Sequence, residues 1–379
     1  MKKMICILLL LCFCCTFFPN AYAAEKYDKY YKQQLEKSGA EDLPSKLPEE
    51  TRKALENLGV EEANWKSITS ITPQNFFGQI LALAGGKTNT PLKAAVSVVV
   101  VMLLCALLNG MKLSFGEKAM GGVIGMVATL CISIIVIHPI VLCIASAASI
   151  IRTSAGFLLA CVPVLTGIMI AAGQPASASS YNLLMVAVGN VISLLSANLL
   201  VPLMNIFLAL SIVSAVSPNM NLNGLCEAFS KSTKWILGFC MTVFTGLLTM
   251  HGIVATAMDT TGSRAAKFVV SSFVPVVGNA LGEALHTING CVKMLKSGVS
   301  AFGLLAGLCI FLPILIECIV WLITVHVCAG IGSVFELKEI TTLLKAVANV
   351  IEMLLGILLC CMAILTVSTV AMLIIGGVS

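Results

Sequence analysis

The sequence predicts an all-α polytopic membrane protein, and three observations carry that prediction. The 379 residues are 58% hydrophobic and 11% charged, with a mean hydropathy of +1.00, whereas soluble domains carry about 25% charged residues. The charges are segregated: 19 of the 41 Lys, Arg, Asp and Glu side chains fall in residues 24–90, and 20 serve the 289 residues from Pro91 onward. The apolar remainder also contains two proline-centred blocks that recur about 111 residues apart. The full expectation is a duplicated helical unit with proline-broken or re-entrant helices, preceded by a short extracytoplasmic helical region.

The chain opens with Lys2 and Lys3, an apolar run from Met4 to Phe18, and Pro19-Asn20-Ala21-Tyr22-Ala23. A basic start, an apolar core and an A-x-A ending predict a secretory signal peptide over 1–23, cut between Ala23 and Ala24. An uncleaved first anchor is the rival reading. Residues 24–90 would then begin outside the cytoplasm. Tyr27, Tyr30, Tyr31 and Leu35 recur at helical spacing. A second helix is expected over Pro48–Leu58, with Glu49 and Glu50 at its positive end and Gly59 as its stop. So small a region holds little core of its own, so it is expected to pack on the membrane surface or on a partner.

Two leading transmembrane helices are expected within 91–155. Pro91–Leu108 forms the first, and the Lys112 and Lys118 that follow fit a cytoplasmic loop. Gly121–Ile137 forms the second; the apolar pattern resumes after His138-Pro139, so this helix is kinked or runs on. Repeat unit 1 is placed at 156–258 and unit 2 at 268–376. The prolines of unit 1, Pro163 and Pro202, are 39 residues apart; those of unit 2, Pro275 and Pro313, are 38 apart. In each unit a lysine, Lys234 or Lys345, follows the second proline by 32. Tyr181–Val216 has no charge across 36 residues, too long for one span at roughly 1.5 Å per residue, so it is two segments or one broken helix. Asp259–Lys267 reads as the linker between units, and Phe268–Leu281 resembles a re-entrant segment. Six to nine crossings fit this pattern.

Ionisable side chains inside spans are costly and usually face a bundle interior or an aqueous cavity. Glu317 is the foremost candidate: it lies four residues past Pro313, between Ile314-Leu315-Ile316 and Cys318-Ile319-Val320. Its counterpart in unit 1 is Ile206, beside Asn205. Glu317, Asn205 and the prolines Pro163, Pro202, Pro275 and Pro313 are therefore the candidate pathway or helix-break residues. Glu352, seven residues after Lys345, is explained by interfacial solvation. Gly278-x-x-x-Gly282 and Gly303-x-x-x-Gly307 would let helices approach closely.

The other polar features point to packing. Of the sixteen cysteines, the twelve beyond the first fifteen residues sit mostly singly inside apolar runs, where cysteine behaves as a small hydrophobe. His138, His251 and His326 are isolated, with no metal-site spacing, so no metal and no cofactor is expected. Gly85-Gly86-Lys87-Thr88 lacks the first glycine of a phosphate loop, and neither Gly-x-Ser-x-Gly nor His-Glu-x-x-His occurs. A net charge of +5, scattered along the chain, does not suggest nucleic acid. The expectation is a protein that is not an enzyme.

The stretch Ser38-Gly39-Ala40-Glu41-Asp42-Leu43-Pro44 through Leu47-Pro48-Glu49-Glu50-Thr51, then Leu58-Gly59-Val60, resembles the start of the stage III sporulation protein AE family. The signal peptide, the charge-free span around Pro163 and Ser177-Ala178-Ser179-Ser180-Tyr181 resemble it too. That resemblance implies a multi-pass protein of the mother-cell membrane surrounding the forespore in endospore-forming bacteria. It also implies membership of a channel or secretion-like complex. Its partners there would be the lipid bilayer, other membrane proteins of the same sporulation operon and a forespore membrane protein. A self-sufficient secondary transporter for a small solute is the alternative, suggested by the repeats, the broken helices and Glu317.

Overall fold

The computed structural model describes residues 35–36, 38–60, 62, 67–68, 71–115, 120–195, 201–216, 223–273 and 278–374. The expected signal segment with Ala23 and Ala24, the Tyr27–Tyr31 pattern and Pro275 lie outside the described residues. Among the described residues every regular element is helical. The helices are α1 (Glu49–Asn57), α2 (Pro73–Lys87), α3 (Asn89–Phe115), α4 (Met120–Ala171), α5 (Pro175–Leu195), α6 (Val201–Val216), α7 (Asn223–Phe273), α8 (Gly278–Val334) and α9 (Lys338–Ile374).

The described part of the charged N-terminal region folds onto the bundle. Two 3₁₀ turns, Ala40–Asp42 and Pro44–Lys46, follow Gly39, whose φ of 70° suits a residue without a Cβ. Helix α1 stops where the sequence indicates. Gly59 adopts φ 79°, its N–H bonds the Glu56 carbonyl, and the Val60 N–H bonds the Leu55 carbonyl, both at 2.9 Å. That is a Schellman closure with its customary apolar clasp, here Val60 on buried Leu55. Leu43, Leu47, Leu55, Leu58, Val60 and Ile68 are all buried and belong to the same apolar core as α4, α8 and α9. Both α1 and α2 touch α8.

Among the described residues, five helices contain stretches long and apolar enough to cross a membrane: Asn89–Leu108, Gly125–Ala171, Glu227–Gly262, Val292–Val334 and Lys338–Ala371. Val201–Ser214 is a shorter apolar helix. This is the pattern of a multi-pass membrane protein. Apolar runs that look separate in sequence are in one case halves of a single helix. Gly121–Ile137 and Gly156–Ala172 both lie in α4, which runs through Pro139 and Pro163 without interruption. Likewise α8 joins the amphipathic Glu283–Lys296 to the apolar Val299–Val327, with Pro313 inside. The 155/156 boundary drawn from sequence thus falls within α4. The expected linker Asp259–Lys267 is helical and forms part of α7. Tyr181–Val216, by contrast, divides into α5 and α6.

At about 1.5 Å per residue the 47-residue apolar stretch of α4 is roughly 70 Å long, more than twice a bilayer's hydrocarbon core of about 30 Å. Helices α8 and α9 form an antiparallel hairpin over comparable distances. Gly332 faces Thr341 near the turn, Gly307 faces Leu365, and Gly303 faces Thr369 at the far end. The expectation of close approach at Gly303-x-x-x-Gly307 is therefore met at the α8–α9 seam, where a Cβ on Gly307 would strike the Leu365 side chain. The turn is a second Schellman closure: Leu337 N–H bonds Gly332 O at 3.0 Å, and Glu336 N–H bonds Ser333 O at 3.2 Å. Here a glutamate, not a glycine, occupies the left-handed position, with φ 54°.

Polar side chains within the apolar helices satisfy themselves locally. Thr129, Ser133, Ser154, Thr166, Ser368 and Thr369 each donate to a carbonyl three or four residues back. Such back-bonding lets a hydroxyl sit where no water can reach it.

Candidate functional site

Glu317 lies on α8, one turn past Pro313, which has no N–H to close its turn onto the Cys309 carbonyl. Ile314, Leu315, Ile316 and Cys318 around it are buried. An ionised carboxylate in such a wall needs a partner, and the fold supplies one. Lys87 Nζ stands 3.2 Å from Glu317 Oε2, with the lysine side chain 40% exposed and the glutamate 22%. Lys87 is in the last turn of α2, where the partial negative charge of a helix C-terminus favours a cation. The pair pins the junction of α2 and α3 to the middle of α8. Sequence separation of 230 residues hides this partnership. The available signal was a lysine alone ahead of a nearly charge-free span.

Next to Glu317, Cys318 meets Cys143 of α4, Sγ to Sγ 3.6 Å, both free and buried. The ion pair and this thiol contact bring α2, α4 and α8 together at one level of the bundle. The arrangement contains a fixed charge pair in an apolar wall, which suits it to holding helices in register.

The other sequence candidates are dispersed. Pro163 is exposed within α4, and Pro202 is exposed at the second position of α6, where proline is tolerated. Asn205, also on α6, has a buried Oδ1 without a hydrogen-bond partner, while neighbouring Ile206 is exposed. None of these is joined to Glu317 by a recorded bond. His326 Nδ1 bonds the Leu322 carbonyl at 2.9 Å, a local packing role. Among the described residues, no group of three His, Cys, Asp or Glu side chains converges where a metal ion would sit.

A second polar joint links α5 to α7. Asp259 of α7 accepts from the Ala176 N–H (2.9 Å) and the Ser177 N–H (2.8 Å), one carboxylate oxygen to each. It thus caps the positive end of α5 from another helix. One turn further, Ser180 Oγ is 3.2 Å from His251 Nδ1. Asp259 stood in a polar run that reads as a linker, so sequence alone gave no cue to this role.

Comparison with known proteins adds to this geometry. A 22% identical relative is stage III sporulation protein AE of Bacillus subtilis (strain 168); the match extends over 241 residues, 64% of this chain and 60% of the relative. The chain thus matches less than two thirds of that relative's length. No solved structure matches. The family model for stage III sporulation protein AE matches residues 61–377, the greater part of the chain from α2 to the end of α9. With its apolar helices and the buried seams that join them, the chain belongs to the stage III sporulation protein AE family.

Proposed function

We propose that the protein is a non-enzymatic integral component of the complex that joins mother cell and forespore, resident in the mother-cell membrane around the forespore. Its partners in this reading are the other membrane proteins of the sporulation channel complex and a forespore membrane protein. Family membership carries the sporulation role. The packing of Leu43, Leu47, Leu55, Leu58, Val60 and Ile68 in the core of the bundle supports the assembly role. A charged region held on a membrane domain is a platform, and after removal of a signal segment it would face the space between the two membranes. The proposed duplication rests on sequence spacing alone, Pro202 and Pro313 being 111 residues apart like Lys234 and Lys345; Pro202 opens α6, whereas Pro313 lies inside α8. In this reading Glu317 and Asn205 lie at helix seams and Pro202 opens the helix after the α5–α6 break, whereas Pro163 and Pro313 lie inside continuous helices.

The test is purification of the full-length tagged protein from sporulating cells in mild detergent. The proposal expects other sporulation membrane proteins to co-purify. Recovery of the protein alone, with solute flux into liposomes that Glu317→Gln abolishes, would replace it by the transporter reading. The Lys87–Glu317 pair within an apolar wall is the observation that favours that second reading.

A further inference from the structure

We propose that α9 carries a water-facing stripe through the membrane, one wall of an aqueous passage for small hydrated solutes. Among its described side chains, α9 exposes six residues: Lys338, Thr342, Lys345, Asn349, Glu352 and Gly356. They recur every three or four residues, so they share one face of the helix, and none is a large apolar residue. The apolar side chains of the same stretch, Leu343, Leu344, Val347, Val350 and Ile351 among them, are buried. A helix with lipid along its outer face would show the reverse order.

The depth of the stripe decides what it faces. The apolar stretch Asn89–Leu108 of α3 has about the length that crosses one bilayer. Lys87, just before it, reaches Glu317 of α8, and Met102 lies against Gly332. This span therefore runs beside α8 between Glu317 and the α8–α9 turn. Gly332 facing Thr341 and Gly307 facing Leu365 set Val327 of α8 level with Lys345, and Ile323 level with Asn349. Val327 is ten residues from Glu317 and nine from Glu336. Lys345 thus stands roughly 14 Å from either end of the slab, farther than a lysine stem reaches. At the same depth the neighbouring helices expose Val96, Ile134, Ile323 and Val327, a surface suited to lipid. His326, also exposed there, ties its Nδ1 to the Leu322 carbonyl. Among the described residues neither Lys345 nor Glu352 forms an ion pair. Bare charges are costly in hydrocarbon, whereas water satisfies ammonium, amide and carboxylate alike. Charges of both signs along the wall suit hydrated solutes in general. The inference rests on the multi-pass reading of the fold and not on which complex the chain joins, so a failed co-purification leaves it untouched.

Water inside a bilayer is screened from lipid by further protein, so the test uses membranes of sporulating cells, opened to reagent on both faces. The tagged full-length chain is labelled there, then purified and read by mass spectrometry. Sulfo-N-hydroxysuccinimide acetate should acetylate Lys345, and a water-soluble carbodiimide with glycinamide should amidate Glu352, at rates close to those of the unfolded chain. A stripe against lipid or protein would react at least about 100-fold slower, and that result would overturn the proposal. Dicyclohexylcarbodiimide, which dissolves in lipid, then separates the two: attack on Glu352 means lipid, and resistance means a protein contact. A lipid-soluble diazirine should insert at Ile323 or Ile134 in the same membranes. Labelling of Lys345 with no diazirine insertion at this depth would put the whole slab outside the bilayer, and that too would overturn it.

Discussion

Substitutions at the Lys87–Glu317 pair should have unequal effects, and the inequality follows from how each side chain is buried. At 3.2 Å the Coulomb attraction is about 5 kcal/mol at an effective dielectric of about 20. Most of that is lost to desolvation and to solvent screening on the lysine side, where 40% of the side chain is exposed. A net coupling of about 1–2 kcal/mol remains. Lys87→Met leaves a carboxylate that is 22% exposed without its partner, so it should cost about 2 kcal/mol. Glu317→Gln leaves an ammonium that water reaches, and the amide can still accept its hydrogen bond, so it should cost under about 1 kcal/mol. The assay is a double-mutant cycle from denaturant or thermal unfolding in detergent, comparing the two single variants with the Lys87→Met/Glu317→Gln pair. Additive effects, or a Glu317→Gln variant less stable than Lys87→Met, would refute the reasoning.

Three more outcomes are expected. Asp259→Ala removes a carboxylate that satisfies two N–H groups of α5, so it should cost about 1–2 kcal/mol, with faster amide exchange at Ala176 and Ser177 as the local readout. Glu336→Gly relieves a left-handed backbone at the α8–α9 turn and should stabilise the protein by about 1 kcal/mol, measured as a rise in Tm. Lys53 bonds Glu49 and holds its carboxyl below the usual value of 4.5. That contribution to α1 is present above the ordinary carboxylate range and lost as pH falls through the lowered value. Exchange of the α1 amides should therefore quicken, relative to α8, only under acid conditions.

The legible part of this fold is the part written in local chemistry. Gly59 announced the end of α1 because a left-handed closure needs a residue without a Cβ, and the apolar runs announced membrane helices by composition alone. Pro313 and Glu317 drew attention because both are expensive in such a helix. The continuity of α4 was not legible. Pro139 left a kinked or continuing helix open and Pro163 read as a break, yet packing along the rest of the helix outweighs the hydrogen bond each proline removes. Partners distant in the chain were equally hidden. Lys87 looked like part of a failed phosphate loop, and Asp259 like part of a linker, until the fold set each beside its mate. Cys143 and Cys318 give the same lesson, because two residues that each read as filler meet across helices.

The length of α4 has a consequence for the surrounding lipid. The 47-residue stretch of α4, apolar on average but carrying His138 and an exposed Arg152, is roughly 40 Å longer than one bilayer core. Thickening the membrane or tilting the rod to hide that surplus carries an energetic penalty that grows with every ångström of mismatch. Other apolar protein surface hides it without deforming the lipid. The chain's own helices already cover part of that length, since Ile132, Ile144, Ile151, Leu158 and Leu165 of α4 are buried in the bundle.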